Sequence, residues 1–301
     1  MPLLLAESAK LSNDMVQRGV IETILEESPM LRVMPFLEVE GNSFKYTQEN
    51  TLGGAAFYPV NGVWSEGAAT FTQKTVNLAI LGGDADVDNF VQRARSNVND
   101  QRAIQTMLKA KDVARKWEQT VITGDATADP NAFDGLKVLY PSTGSSGQVI
   151  TPAAGGGALT LALLDQLIDL VKGGKPDVIL MSKRTRRKLK SLLTASTHYV
   201  ETGDNLGRQI MFYDGIPVLV SDFIADTEAA DNGSGSTFSS VYALHFSPAD
   251  GLVGLTNGGI EAIDVGPLET KDASRVRIRW YVGMAVLRDS AVARMNGVSG
   301  S

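Results

Sequence analysis

From Ser96 to Thr123 the chain has neither proline nor glycine, and few folds can absorb what that implies. Small or apolar residues recur at Ala103, Met107, Ala110, Ala114, Trp117 and Val121, in steps of four, three, four, three, four. That spacing keeps one seam on one side of an α-helix. Asp100, Arg102, Lys109, Lys111, Asp112, Arg115, Lys116 and Glu118 fill the other positions, and are expected to face water or a neighbouring subunit. At 1.5 Å per residue the helix is about 40 Å long, longer than a compact domain of ordinary size requires. Its seam is too narrow and its alanines too small to specify a stable two-stranded coiled coil. Asp84, Asp86, Asp88 and Asn89 read as its start, because carboxylates favour the positive end of a helix dipole. Gly124 and the turn-rich run Asp129 to Leu136 read as its stop, with Gly135 to Pro141 strand-like beyond.

Around that helix the periodicities change several times. Residues 1–40 read as an arm. Ser12 or Asn13 caps a helix with apolar Met15, Val16, Val20, Ile21, Ile24 and Leu25, Ser28-Pro29 ends it, and an apolar, partly extended run from Met30 to Leu37 follows. Residues 41–82 alternate as a long β-hairpin (Phe44, Tyr46; later Val76, Leu78, Ile80). Its middle, Leu52 to Gly67, carries Phe57, Tyr58, Val63 and Trp64, and aromatic residues in so long a loop suggest a surface that meets a partner. Residues 142–157 read as a loose linker. Helices at Leu159 to Val171 and Lys183 to Leu193 (capped by Ser182) then alternate with strands at Pro176 to Met181, Ile216 to Val220 and Val241 to Phe246, as in a compact mixed domain. The remainder is strand-rich: Gly251 to Thr256, Ile260 to Val265 and Arg275 to Met284. In the last, Arg275, Arg277 and Arg279 share one face.

Several function classes find little material here. No apolar run approaches the roughly 20 residues that cross a bilayer, and the N-terminus lacks the basic region and the long apolar core of a signal peptide. The chain has no cysteine and only two histidines, His198 and His245, which leaves no thiolate chemistry and little for a zinc site or a histidine-based triad. A net charge of −6 argues against a surface that grips nucleic acid as a whole, though a wall confined beside DNA could carry it. No nucleophile elbow or phosphate-binding glycine loop occurs, so no enzyme is indicated and no cofactor is expected.

Three clusters remain to be weighed. Asp84, Asp86 and Asp88 copy the first ligand positions of a calcium loop, but Asn89 stands where its glycine and Arg95 where its glutamate belong, so the helix-start reading leads. The basic run Lys183, Arg184, Arg186, Arg187, Lys188, Lys190 lacks interleaved aromatic residues, and a solvated or intersubunit salt-bridging face is favoured over a nucleic-acid contact. Arg275, Arg277 and Arg279 would repel one another unless acids lie opposite, so carboxylates from this or a neighbouring chain are expected there.

The order of parts (arm, long hairpin, long helix, Gly-Leu turn, compact α/β domain, β-rich return) resembles the major capsid proteins of tailed bacteriophages, with the Hong Kong 97-type fold. The resemblance rests on Gly124-Asp125 through Phe133-Asp134-Gly135-Leu136 after the helix, on Ile216-Pro217-Val218-Leu219-Val220-Ser221-Asp222, and on Val286-Leu287-Arg288-Asp289. It implies an α+β fold with an N-terminal arm (1–40), an extended loop (41–82), a peripheral domain with a spine helix (83–150), an axial domain (151–250), and a closing β-rich peripheral segment (251–301). It implies self-assembly as hexamers and pentamers into an icosahedral shell around double-stranded DNA, in a virion assembled in the host cytoplasm. A portal, possible decoration protein and, because the arm starts at Met1, a separate scaffolding protein or none would accompany it. Lysine–asparagine crosslinking through Lys45 or Lys74 is not expected, since no matching asparagine and glutamate are evident. Phe57, Tyr58, Trp64, Arg275, Arg277 and Arg279 are the expected intersubunit contacts. An encapsulin-like compartment holding a cargo enzyme is the alternative with the same fold, and a soluble enzyme or ligand-binding protein the alternative of another class.

Overall fold

The computed structural model describes residues 28–51, 53–95, 101–142, 147–195, 201–205, 208–230, 233, 235 and 237–300. The expected arm helix lies outside them. What is described of the arm is a 3-10 turn at Met30–Arg32 and strand β1 (Phe36–Glu38), so the apolar run from Met30 is half turn and half strand. Met30 and Met34 are buried, and β1 pairs in parallel with β12 (Leu252–Pro267).

Two sheets carry the fold. The first has the order β1-β12-β13-β4, with β13 at Ala273–Val286 and β4 at Ala79–Asp88. Alternation on β13 puts Val276, Ile278, Trp280 and Val282 on the buried face. Against that face lies the long helix, α2 (Gln101–Thr123), preceded by a short α1 (Asn89–Arg95). Ala110, Val113, Ala114, Trp117 and Val121 are buried, and Trp117 packs between Phe36 and Trp280 with ring centroids 6.0 and 5.9 Å away. The seam is therefore buried only from Ala110 onward. Ile104, Met107 and Leu108, in the first turns, remain 38%, 52% and 51% exposed.

The second sheet runs β5-β14-β11-β7-β10-β9-β8 (β5 Val149–Ile150, β7 Val178–Met181, β8 Glu201–Asn205, β9 Arg208–Tyr213, β10 Ile216–Val220, β11 Phe238–Leu244, β14 Val292–Ser299), with β6 (Gly157–Ala158) also on β14. Helices α4 (Leu161–Leu170) and α5 (Lys183–Ala195) share one of its apolar clusters, through Leu164 and Leu167 and through Leu189 and Leu193. The Thr160 and Ser182 hydroxyls accept from the backbone N–H groups of Leu163 and Thr185 and cap them. The other face contributes Leu180, Tyr242, Leu244 and Val292 to the core shared with α2 and the first sheet. A separate two-stranded hairpin, β2 (Ser43–Thr51) with β3 (Thr70–Asn77), completes the described parts.

Three expectations are corrected. Asp84, Asp86 and Asp88 belong to β4 and not to a helix start. Ala85 and Val87 point inward between them, and a period of two with arginines opposite outweighs the helix dipole. Only Asp88 serves a helix, accepting from Phe90 N–H at 2.8 Å to open the short α1. Gly135 to Pro141 contains a helical turn, α3 (Leu136–Leu139), because burying both Leu136 and Tyr140 requires a spacing of four. The strands expected at 251–256 and 260–265 are one strand, β12, bulged between Asn257 and Ile260 where Gly258 and Gly259 adopt positive φ. Of the late strands, β12 and β13 lie in the first sheet and β14 in the second.

Candidate assembly surfaces

The β2–β3 hairpin is anchored at its base and free at its tip. Phe44, Tyr46, Val76 and Leu78 pack on Val253, Leu255 and Ala285. Gln48 donates its amide to the Val286 carbonyl at 3.1 Å, and Lys74 pairs with Asp289 at 3.0 Å. Beyond Thr51 and Thr70 the backbone narrows until Gly53 and Gly67 touch, and a Cβ on Gly67 would collide with the Gly53 carbonyl. Past that pinch Trp64 stacks on Tyr58 (centroids 4.5 Å apart), and the Tyr58 and Ser65 hydroxyls are 2.6 Å apart. Phe57, Val60, Val63 and Trp64 are nevertheless 107%, 94%, 92% and 77% exposed. A loop that has its own internal order and leaves its apolar side chains in water is shaped for a partner's surface.

The outer face of the first sheet is ionic. Arg275 forks onto Asp86 at 2.6 and 2.7 Å, Arg277 onto Asp84 at 2.7 and 2.9 Å, and Arg279 donates to Glu261 at 2.6 Å. Arg275 also reaches Asp84 at 3.0 Å. The carboxylates that the arginine stripe requires are thus supplied by strands β4 and β12 of the same chain, in register with β13. Hydrogen bonds from Arg277 and Arg275 hold the Asp84 and Asp86 carboxyls below the usual carboxylate range. With their oxygens engaged by guanidinium groups, Asp84 and Asp86 are arranged as a salt-bridge ladder. Among the described residues no group of three or more His, Cys, Asp or Glu side chains is disposed to hold a metal ion.

The basic run lies on α5. Lys183 pairs with Asp222 at 2.7 Å and Arg184 with Asp226 at 3.3 Å, while Arg186, Arg187 and Lys190 project outward. Three buried charges among the described residues, Arg294, Glu228 and Glu118, escape the sequence reading. Arg294 is 2% exposed and donates to the Tyr140 carbonyl (2.7 Å), the Ser240 hydroxyl (3.0 Å) and Glu228 (3.3 Å), joining β14, β11 and the segment after α2. Its signal was an arginine inside the otherwise uncharged strand Val292–Ser299. Glu118 on α2 is 2% exposed and accepts from the Ser221 hydroxyl at 2.5 Å. Burial pushes its carboxyl upward, against the lowering effect of Ser221 and Ser28.

With the geometry in place, comparisons with known proteins add the relationship. A family model described as the phage capsid family matches residues 11–297. Among solved structures, the chain is similar to the holo-SrpI encapsulin complex from Synechococcus elongatus PCC 7942 (TM-score 0.70, 19% identity, covering 91% of this chain and 89% of that one). It is similar to the capsid of the empty GTA particle (TM-score 0.64, 14% identity, 91% and 90%). It is also similar to the capsid of cyanophage A-1(L) (TM-score 0.62, 13% identity, 90% and 92%). At these identities the likeness is one of fold. A search of curated proteins finds no match.

Proposed function

This chain belongs to the phage capsid family, and from that premise we propose that it is the major capsid protein of a tailed bacteriophage, assembling as hexamers and pentamers into an icosahedral shell that encloses double-stranded DNA. Its α+β structure is the Hong Kong 97-type capsid fold, and its role is that of a structural shell protein. The observation that carries the finer reading is the hairpin tip. Phe57, Val60, Val63 and Trp64 cannot bury themselves locally, and Ile104, Met107 and Leu108 are left open on the first turns of α2. A subunit with a completed core and projecting apolar surfaces gains by overlapping its neighbours.

In this reading the arm (1–40) and the extended loop (41–82) lie across adjacent subunits, the peripheral parts form the shell wall, and the axial domain (151–250) meets its copies around the capsomer axis. Phe57, Tyr58 and Trp64 are proposed contacts. Arg275, Arg277 and Arg279, whose guanidinium groups are already neutralised within the subunit, are proposed as contacts through their remaining donors. Many modest contacts per subunit add up across a shell, so each can stay weak enough to be broken and re-formed during assembly. A portal, a separate scaffolding protein and in some shells a decoration protein are the proposed partners, with assembly in the host cytoplasm.

Removing residues 52–66 tests the premise. The shortened chain should remain a folded subunit by circular dichroism and thermal unfolding yet form no shells in negative-stain micrographs. If the deletion unfolds the subunit, the loop belongs to its own core. The fold match to an encapsulin favours a second reading, a shell around a protein cargo. Nuclease protection of particles from the natural source separates the two: protected duplex DNA supports the capsid, and a protein cargo without DNA supports the compartment.

A further inference from the structure

Four cations on helix α5 meet no carboxylate among the described residues. Arg275, Arg277 and Arg279 each meet a carboxylate, whereas Arg186, Arg187, Lys188 and Lys190 form no ion pair among the described residues. Helix α5 turns Thr185, Leu189 and Leu193 into the core. The opposite arc, at spacings of three and four, carries Lys183, Arg186, Arg187 and Lys190, all exposed. The strip continues onto a different element. Arg115 of α2, held over the Phe223 ring at 5.5 Å, lines a cleft of about 220 Å³ together with Lys183 and Arg186. Two acids face the same cleft: Glu118, buried and bonded to Ser221, and Asp222, paired with Lys183. Glu118 lies within Coulombic reach of Arg115, and neither acid is ion-paired with Arg186, Arg187 or Lys190.

We propose that this strip, Arg115 with Arg186, Arg187 and Lys190, is a sequence-independent contact for the phosphate backbone of double-stranded DNA. The proposal rests on the capsid reading, which supplies the DNA. Guanidinium groups match phosphate oxygens two at a time. The one aromatic ring at the strip, Phe223, lies beneath Arg115 and is only partly exposed, so stacking on unpaired bases does not account for the arrangement. In a chain of net charge −6, the contact is confined to one face while the remaining surface keeps the duplex from adhering.

The test uses full-length wild-type protein and the triple variant Arg186→Gln/Arg187→Gln/Lys190→Gln, both held as unassembled capsomers. Binding of a fluorescent DNA duplex of arbitrary sequence is followed by anisotropy across a salt series. Wild-type binding should be indifferent to sequence, and the triple variant should flatten the log–log salt slope by about three, since each lost phosphate contact removes about 0.9. The variant should still assemble into shells. Absent wild-type binding, or equal binding and slope in both proteins, overturns the proposal. So does a variant that loses assembly but keeps its DNA affinity, because the strip is then a subunit interface occupied by a neighbour's acids. A wild-type chain that never forms shells overturns the capsid reading instead, whatever its affinity for DNA.

Discussion

Alternation on a single strand decides more about this protein than any motif. Asp84, Asp86 and Asp88 read from sequence as a helix start, with a calcium loop as the weaker alternative, and they prove to be one face of a strand. Register settles the matter by placing Asp84 opposite Arg277 and Asp86 opposite Arg275. The sequence showed that the arginines needed acids and could not show which, because the partners lie some 190 residues away. The folded-state values of Asp84 and Asp86 are depressed, so their contribution to stability is fully present above the unfolded carboxylate value of about 4 and is lost as pH falls through the lower folded values. The double variant Asp84→Asn/Asp86→Asn should melt at a lower temperature than wild type at neutral pH, with the difference shrinking as the pH is taken below about 4. Glu118 has the opposite sign. Its folded value is raised by burial, so the ionised carboxylate carries a penalty above that value which is relieved as pH falls. Glu118→Gln keeps an acceptor for Ser221 and should raise the melting temperature at neutral pH while leaving the acid end unchanged. A lower melting temperature at neutral pH would show that the ionised carboxylate is itself required.

At the scale of elements, the long helix was legible from its periodicity and its stop from Gly124. The manner of the stop was not, because it depends on a contact between two glycines eleven positions apart. Gly135 N–H donates to the Gly124 carbonyl at 2.9 Å, and a Cβ at Gly135 would lie 2.5 Å from the Thr120 carbonyl oxygen. The turn after α2 is closed backbone against backbone, which fixes where Leu136 and Tyr140 enter the core. Gly135→Ala should therefore cost about 1–3 kcal/mol in chemical denaturation, as overpacking does, and loss of less than about 0.5 kcal/mol, the range of neutral surface changes, would show that the turn relaxes freely. The hairpin was legible for the same reason as the helix, a clean period. The two glycines that pinch its tip, Gly53 and Gly67, look from sequence like any others in a glycine-rich loop.

For the whole molecule, the order of parts carried the fold. The strands β2 and β3 and the long helix appear where their periodicities placed them, and the resemblance that the order suggested matches the family found over residues 11–297. What order could not convey is which sheet each late strand joins. Strand β14 reads as one more piece of a β-rich ending, yet it sits between β5 and β11 in the second sheet and carries Arg294 into the network with Glu228 and Tyr140. Truncation after Ser290 should unfold the second sheet cooperatively, with loss of protease resistance across the fragments bearing β7, β10 and β11. Survival of a resistant 151–250 fragment would show instead that this domain stands alone.

That placement of β14 also bears on synthesis. Strand β11 leaves the ribosome with one edge open, and its partner on that edge, β14, is made after it and after both β12 and β13. Until residues 292–299 emerge, Val241 and Ala243 lack the neighbours that seal them. A nascent or prematurely terminated chain therefore shows an unfinished sheet to chaperones and proteases. A lattice that repeats one subunit many times would be damaged by a small fraction of incomplete copies, and a copy interrupted before β14 should fail at folding, before it can reach the lattice.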